Sequence, residues 1–496
     1  MDPAISSDAS FPIQPGPFAP TWDSLRQYRC PNWFRDAKFG IWAHWGPQSV
    51  PEFGDWYARN LYIQGNPQYA YHLAHYGHPS VFGYKDIVQL WKAENFDPVF
   101  LIDLYQKAGA RYFVTQAVHC DNFDCWDSSY HRWNSLQMGP RKDIVGLWQK
   151  AASRAGLRFG VTEHHARSYS WFNTNKGADL SGPLAGVPYD GAQPENADFY
   201  FEKHDDTNYA YPRNPSAQFV HNWYMRMQDL VEKYDPDFFY TDGAIPFGAV
   251  GRSFVAGFYN HNIQHHGGRL EAVYTLKDMR AYDLQNGTSH GEFMPGIGVQ
   301  DVERGVIEGI HAEPWQTDTC LGDWFYLKDK AYKPASMVIK MLVDIVSKNG
   351  NLLLNLPLRP DGSLDEKEME ILRGITAWMA VNSEAIYDTR PWAVFGEGPS
   401  QPAGGHFNEQ EQNYSPEDFR FTQKDGWLYV FCLGWPAQSW ILVKALAAGK
   451  VGVESVYLLG SGNVPEWKQE PAGLRVRFPD RQPCETAWVL KIRLKA

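Results

Sequence analysis

No run of apolar residues in this chain approaches the roughly 18 to 20 needed to cross a bilayer, so the sequence carries no sign of a membrane-spanning helix. Positive charge is neither in excess nor clustered, because 46 Lys and Arg stand against 57 Asp and Glu, a formal net charge of −11. A phosphate backbone or an anionic lipid surface finds no electrostatic footprint here, which argues against nucleic acid and membrane as partners. Cysteine is sparse. The six thiols, Cys30, Cys120, Cys125, Cys320, Cys432 and Cys484, lie far apart in 496 residues without zinc-type pairs, so neither disulfides nor a structural metal is needed to explain the fold. The first residues lack a basic stretch followed by a hydrophobic one, so no signal peptide is visible. Location stays open: secreted, periplasmic or lysosome-like if a leader was removed, cytoplasmic otherwise. No internal repeat stands out.

Aromatic residues, by contrast, are abundant, with 20 Trp, 27 Tyr and 28 Phe. Their apolar faces can stack on the C–H faces of sugar rings while polar neighbours bond the hydroxyls, but large cores also consume aromatics. With 44% hydrophobic and 21% charged residues the chain is globular.

Two regimes divide the sequence near residues 386–400. Before the break, apolar runs at 39–45, 111–119, 157–165, 237–243, 270–276, a weaker one at 298–304 and one at 351–357 alternate with segments of helical period. Continuous apolar character is what strands buried on both faces show. Phe219, Val220, Trp223, Met227, Leu230, Val231 and Tyr234 form one helical stripe, and Ile144, Leu147, Trp148, Ala151 and Ala155 another. Asp97 before Pro98 predicts a helix start, and Ser363 with Glu366 predicts a capping box opening the segment that runs to Ile386. Seven or eight strand-then-helix units without a Gly-rich phosphate turn fit an α/β fold of the (β/α)8, TIM-like barrel type, spanning residues 1–390 with an N-terminal lead-in. After the break the period changes to short strands at 418–422, 426–434, 439–446, 453–460, 474–478 and 487–494, which predicts a C-terminal antiparallel β-sandwich over residues 391–496.

In a parallel barrel the active site forms at the carboxyl ends of the strands. His44, then His119 with Asp121, then His164 with His165, then Asp242, then Glu303 each close or follow one of the apolar runs. A single such residue is more often a cap; five or six together point to a site. Asp242, followed by Gly243, suits a carboxylate nucleophile held at a barrel mouth. A retaining glycosidase needs a second carboxyl group about 5 to 5.5 Å away as acid and base. Glu303 is the choice, with Glu271, Glu292, Glu308 and Glu313 as rivals that spacing alone leaves open.

The segments at 37–62, 96–128, 142–161 and 235–243, with ERG at 303–305 and WQTDTCLGDWFY at 315–326, resemble the α-L-fucosidase family of retaining glycoside hydrolases over most of residues 30–390. The resemblance implies that Asp242 is the nucleophile, that His44 and His119 contact fucose hydroxyls, and that Trp56 walls the pocket. Three positions depart from the pattern of many relatives. Cys120 follows His119 where a second histidine is common, Tyr240 stands where tryptophan is common, and Gln316 replaces a glutamate found in some of them. Gln316 cannot titrate, which favours Glu303.

The expectation is an exo-acting retaining α-L-fucosidase cleaving terminal α-L-fucosyl residues from glycans. Asp242 and Glu303 are its catalytic pair, His44, His119 and His164 bond the hydroxyls, and Trp56, Tyr240 and Trp315 supply an apolar wall. No metal and no other cofactor is required. Fucosylated oligosaccharides or glycoconjugates are the partners, and self-association is left open. Two other classes compete: a metal-dependent barrel hydrolase using the strand-end histidines and carboxylates, and a catalytically silent fucose-binding protein. Loops within 46–86 and 166–216 are expected to shape the pocket for the departing group. The C-terminal sandwich is expected to be a structural lid or a source of oligomer contacts, with a carbohydrate-binding role for Trp427, Trp435 or Trp440 disfavoured because strand aromatics face the core.

Overall fold

The computed structural model describes residue 11 and residues 13–495; most of the N-terminal stretch inspected for a leader lies outside them. Eight parallel strands close into a barrel: β1 (Phe39–Ala43), β2 (Tyr112–Val118), β3 (Arg158–Glu163), β4 (Phe238–Thr241), β5 (Val273–Lys277), β6 (Val299–Glu303), β7 (Trp315–Cys320) and β8 (Gly350–Asn355). Each pairs with its neighbour in sequence order, and β8 returns to β1. Seven of these strands coincide with the apolar runs. The eighth, β7, has alternating Gln316 and Asp318 within WQTDTC, both fully buried, so its inward face is polar and its sequence lacks an apolar run.

The barrel floor is filled by pairing glycines with large aromatics. A Cβ on Gly40 would meet the Tyr112 ring at 2.3 Å, and one on Gly160 would meet Phe238 at 2.7 Å. Small positions facing large ones let the interior layer close without a void. The next inward positions along β1 and β4, Trp42 and Tyr240, form the floor of the cavity above.

The helices follow the predicted stripes. Ala217–Tyr234 buries Phe219, Val220, Trp223, Met227, Leu230, Val231 and Tyr234, and Ile144–Arg154 buries Ile144, Trp148 and Ala151. Asp97 caps Pro98–Lys107, its carboxylate accepting from the amides of Val99 and Phe100. The capping box before the last long helix lies elsewhere than expected. Asp365 and Glu368 form it, opening Glu366–Asn382, whereas the Ser363 hydroxyl donates to Asp361 in the preceding turn. Both placements satisfy the motif in sequence; the buried Asp365 and Glu368 are the ones the chain direction aligns.

The remaining strands are β9 (Arg390–Glu397), β10 (Phe419–Lys424), β11 (Trp427–Cys432), β12 (Trp440–Val443), β13 (Val453–Leu458), β14 (Trp467–Glu470), β15 (Gly473–Arg477) and β16 (Trp488–Leu494). They form an antiparallel sheet ordered β13-β16-β11-β10-β9 and a second ordered β12-β15-β14. Phe421, Val430, Ile441, Val476, Leu490 and Ile492 belong to the core they enclose. Neither β9 nor β14 was anticipated, since β9 is partly exposed and contains Pro391 and β14 is short and polar. Trp435 packs against Phe478 and Trp488, while Trp427 faces Lys491 and Arg493, and Trp440 faces Arg475.

A buried ion triad joins the two sheets' domain to the barrel. Arg420 of β10 donates to Asp344 at 2.5 Å, and Lys348 donates to the other oxygen of Asp344 at 2.8 Å. All three side chains are at most 2% exposed. Removing the shared anion leaves two buried cations without a counter-charge, which costs about 3–5 kcal/mol. Asp344→Ala is accordingly expected to lower the unfolding free energy by that amount in denaturant titration; a loss below about 1 kcal/mol would show that the triad does not hold the junction.

Candidate active site

The parallel strands bring four ionisable side chains together at the carboxyl ends of β4 to β7. The Asp242 amide extends the ladder beyond β4 by donating to Glu163 at 3.2 Å, and Glu303 of β6 is registered with Asp318 of β7. Lys277 ends β5 between them, its amide donating to Gly243 at 2.7 Å. Gly243 has φ 138°, and a Cβ there would meet the Tyr211 hydroxyl at 2.6 Å and the His290 carbonyl at 2.8 Å, so only glycine fits the turn that leaves Asp242 facing inward. These residues border a cavity of about 240 Å³ at the carboxyl ends of the strands, together with Trp42, His44, Asp55, Trp56, His119, His164, Arg167, Tyr240 and Trp324.

Lys277 ties the acids together. Its ammonium donates to Asp242 Oδ1 at 2.9 Å and to Glu303 Oε2 at 2.5 Å, and stands 3.8 Å from Asp318 Oδ2. Those two bonds limit the separation of the Asp242 and Glu303 oxygens to the sum of their lengths, 5.4 Å. The other Asp242 oxygen lies 3.1 Å from the Arg167 guanidinium and 3.2 Å from His164 Nδ1. Burial by itself would raise the Asp242 carboxyl, but Arg167 and Lys277 outweigh it, with His164 adding a hydrogen bond, and hold it well below the usual carboxylate range. Glu303 goes the other way. Burial raises it, Lys277 pulls it down, and the neighbouring charges of Asp318 and Asp242 push it up again, leaving it above an ordinary glutamate. Lys277 is held firmly charged, because the surrounding acids outweigh the burial that would otherwise lower it. Two carboxyl groups side by side are thus shifted in opposite directions, Asp242 down and Glu303 up.

The polar side of the cavity is a histidine cluster. The His44 ring lies 5.0 Å from those of His119 and His164, and these two are 4.8 Å apart. Burial, before any neighbour, pushes all three below the usual histidine range, so they are neutral at pH 7. Gln48 contacts His119 Nδ1 at 2.7 Å, which assigns the amide as donor and leaves Nε2–H toward the cavity. Both ring nitrogens of His44, Nε2 of His164 and Oδ1 of Asp318 are buried without a hydrogen-bond partner among the described residues. Buried polar atoms of this kind are available to a polar ligand or to water. Trp42 and Trp324, 5.3 Å apart, and Tyr240, 5.2 Å from Trp42, provide the apolar side. The Tyr240 hydroxyl is fixed by donating to Asp318 at 2.9 Å.

Seven of the eight residues singled out from sequence meet here: Asp242, Glu303, His44, His119, His164, Trp56 and Tyr240. Trp315 does not. It begins β7 at the amino end of the barrel, fully buried against Gly350, with its indole nitrogen donating to the Lys348 carbonyl at 2.9 Å. Side chains alternate along a strand, so Gln316 and Asp318 face inward and Trp315 faces the helix layer. Trp42 and Trp324 form the wall that Trp315 was expected to supply. Gln316 sits below the cavity, donating to Asp301 and accepting from Tyr112. The rival glutamates are elsewhere: Glu271 pairs with Arg158 and Glu292 with Arg252, and neither Glu308 nor Glu313 lines the cavity.

Sequence reasoning missed Lys277, Arg167 and Asp318. Lys277 and Asp318 obey the same strand-end rule that found Asp242, but a lone lysine after an apolar run reads as a solvated boundary residue, and β7 was not recognised as a strand. His406 and Phe407 of the C-terminal region carried no signal at all. His406 Nδ1 accepts from the Glu303 amide at 3.1 Å, and the Phe407 amide donates to the Glu303 carbonyl at 2.8 Å. Burial, with repulsion from Lys277, lowers His406 to about 4, so it is the neutral acceptor this bond requires.

His44, Asp55 and His119 place ligand-type atoms within 4.8 Å of one another. The adjacent Arg167 and Lys277 cations oppose a metal ion at this end of the cavity, and the Gln48 contact already occupies one His119 nitrogen.

Comparison with known proteins supplies the family. Residues 6–384 match the family model described as α-L-fucosidase, and residues 410–493 match that of the α-L-fucosidase C-terminal domain. The plasma α-L-fucosidase of Homo sapiens is 27% identical over 495 residues, covering 96% of this chain and 92% of its own. The tissue α-L-fucosidase of Rattus norvegicus is 27% identical, covering 97% and 93%. The crystal structure of a Thermotoga maritima α-fucosidase in complex with fucose superimposes with a TM-score of 0.72 at 26% identity, covering 96% of this chain and all of that one. The chain belongs to the α-L-fucosidase family and is a glycoside hydrolase.

Proposed function

We propose that this α-L-fucosidase removes terminal α-L-fucosyl residues from glycans with retention of anomeric configuration, by double displacement through a fucosyl ester of Asp242. The observation that carries this reading is the single ammonium bonded to both acids, which keeps Asp242 Oδ1 and Glu303 Oε2 within 5.4 Å of each other. Retaining enzymes hold their two carboxyl groups about 5 to 5.5 Å apart, whereas inverting enzymes leave room for water between them.

Asp242, ionised, attacks the anomeric carbon. Glu303, protonated, gives its proton to the departing oxygen as the glycosidic bond breaks. Formation of the ester removes the charge on Asp242, and with it one of the causes that raise Glu303. Lys277 then acts on Glu303 with less opposition, so the carboxylate that deprotonates the incoming water is favoured at the step that needs it. Water attacks the anomeric carbon, the ester bond breaks, and Asp242 recovers its charge. His44, His119 and His164 bond the sugar hydroxyls, and a sugar lacking a matching hydroxyl would leave them unpaired, which enforces specificity. Trp42, Trp56, Tyr240 and Trp324 provide the apolar face.

Asp242→Gly is expected to lower turnover of an aryl fucoside by at least about a thousandfold, with azide restoring aryl release as a fucosyl azide of inverted configuration. A loss of only a few fold, or azide without effect, removes Asp242 from the role. Glu303→Ala should cost natural linkages about a hundredfold or more while sparing substrates whose leaving group needs no proton; equal losses on both would implicate another acid. Lys277 stabilises the ionised form of both carboxylates, so Lys277→Met raises both. Both limbs of the pH profile of kcat/KM then move to higher pH, and unmoved limbs would show that the ammonium does not set the charge states.

A further inference from the structure

Resting on that reading and extending it, the geometry points to a subsite for the departing sugar, built by Phe407 of the C-terminal region with Tyr282 opposite it at the cavity mouth. The leaving oxygen takes its proton from Glu303, so the group attached to that oxygen must lie on the Glu303 side of the cavity. Phe407 occupies that side. It lines the same cavity as Asp242 and Glu303, yet it is 52% exposed.

The segment that carries Phe407 is fastened to the barrel at several points. Gly405 donates to Val306 at 2.9 Å, Phe407 to Glu303 at 2.8 Å and Glu409 to Arg304 at 2.8 Å, all through the backbone. The Glu409 carboxylate accepts from Thr319 at 2.6 Å and pairs with Lys333 at 2.7 Å. A Cβ on Gly305 would lie 1.9 Å from the Gly405 carbonyl, so the contact depends on a glycine there. Between these anchors Phe407 adopts φ 60°, a left-handed conformation that a bulky residue keeps only where its surroundings impose it. The imposed backbone projects a large apolar ring toward solvent at the cavity rim instead of into the core. Its centroid is 6.5 Å from that of Tyr282, whose hydroxyl lies 3.1 Å from that of Tyr209. Apolar ring faces beside phenolic hydroxyls match the alternating C–H and hydroxyl surface of a hexopyranose. The occupant is therefore a sugar residue of a glycan, and the subsite favours fucose linked to another sugar over fucose on a small alcohol.

The test compares a fucosylated disaccharide with methyl α-L-fucoside, which needs the same proton from Glu303 but offers Phe407 a single carbon. Phe407→Ala, and Phe407→Gly in case alanine disturbs the left-handed turn, are expected to reduce kcat/KM for the disaccharide roughly tenfold, mainly through KM, while methyl fucoside stays within about twofold. Phe407→Trp should retain the preference. Equal losses on both substrates, or no loss on the disaccharide, overturn the subsite. A wild-type enzyme that hydrolyses neither substrate overturns the underlying hydrolase reading and the subsite with it, whereas hydrolysis of both with no effect of Phe407 overturns the subsite alone.

Discussion

One buried ammonium organises the site. Lys277 is almost fully enclosed and is surrounded by Asp242, Glu303 and Asp318, so its charge is compensated by acids whose own repulsion it relieves. A cluster of this kind is poor evidence for stability, because desolvating each ion opposes the attraction between them. Its consequence is electrostatic. With Arg167 adding a second cation in direct contact with Asp242, the two carboxyl groups experience different fields although one side chain bonds both. Asymmetry of charge around the bridge shifts the two carboxyl groups in opposite directions.

The barrel makes that asymmetry rigid. Asp242, Lys277, Glu303 and Asp318 come from four consecutive strands whose register is fixed by parallel ladders and by the aromatic and glycine pairing beneath them. No side chain in the group depends on a long loop for its height. The histidine cluster is built the same way, from residues that follow β1, β2 and β3. Loops supply what surrounds this frame: Asp55 and Trp56 from one, Arg167 and Tyr209 from another.

The C-terminal sheets do more than cover the barrel. Arg420 anchors them through Asp344, and the segment that follows β9 reaches back to bond the backbone of Glu303 on both sides, through His406 and Phe407. A domain expected from sequence to be a lid or an oligomer contact thus lies at the cavity, and it holds the backbone of one of the two acids.

Seven barrel strands were legible because strands buried on both faces tend to read as near-continuous apolar runs, and the strand-end rule then located Asp242, Glu303 and the histidines. β7 was not legible, since its inward side chains reach into a polar site and its alternation hid the strand. That same alternation sent Trp315 outward to the helix layer while Asp318, two positions from Gln316, took the inward place. Local pattern alone fixed which residues close each strand, because strand periodicity and burial act over a few neighbouring residues. Which of those residues meet across the cavity, which cation sits between them, and that residues 406–407 reach Glu303 from about a hundred positions away were decided by barrel closure and domain docking. Those are distances between segments remote in the chain, and no short-range rule encodes them.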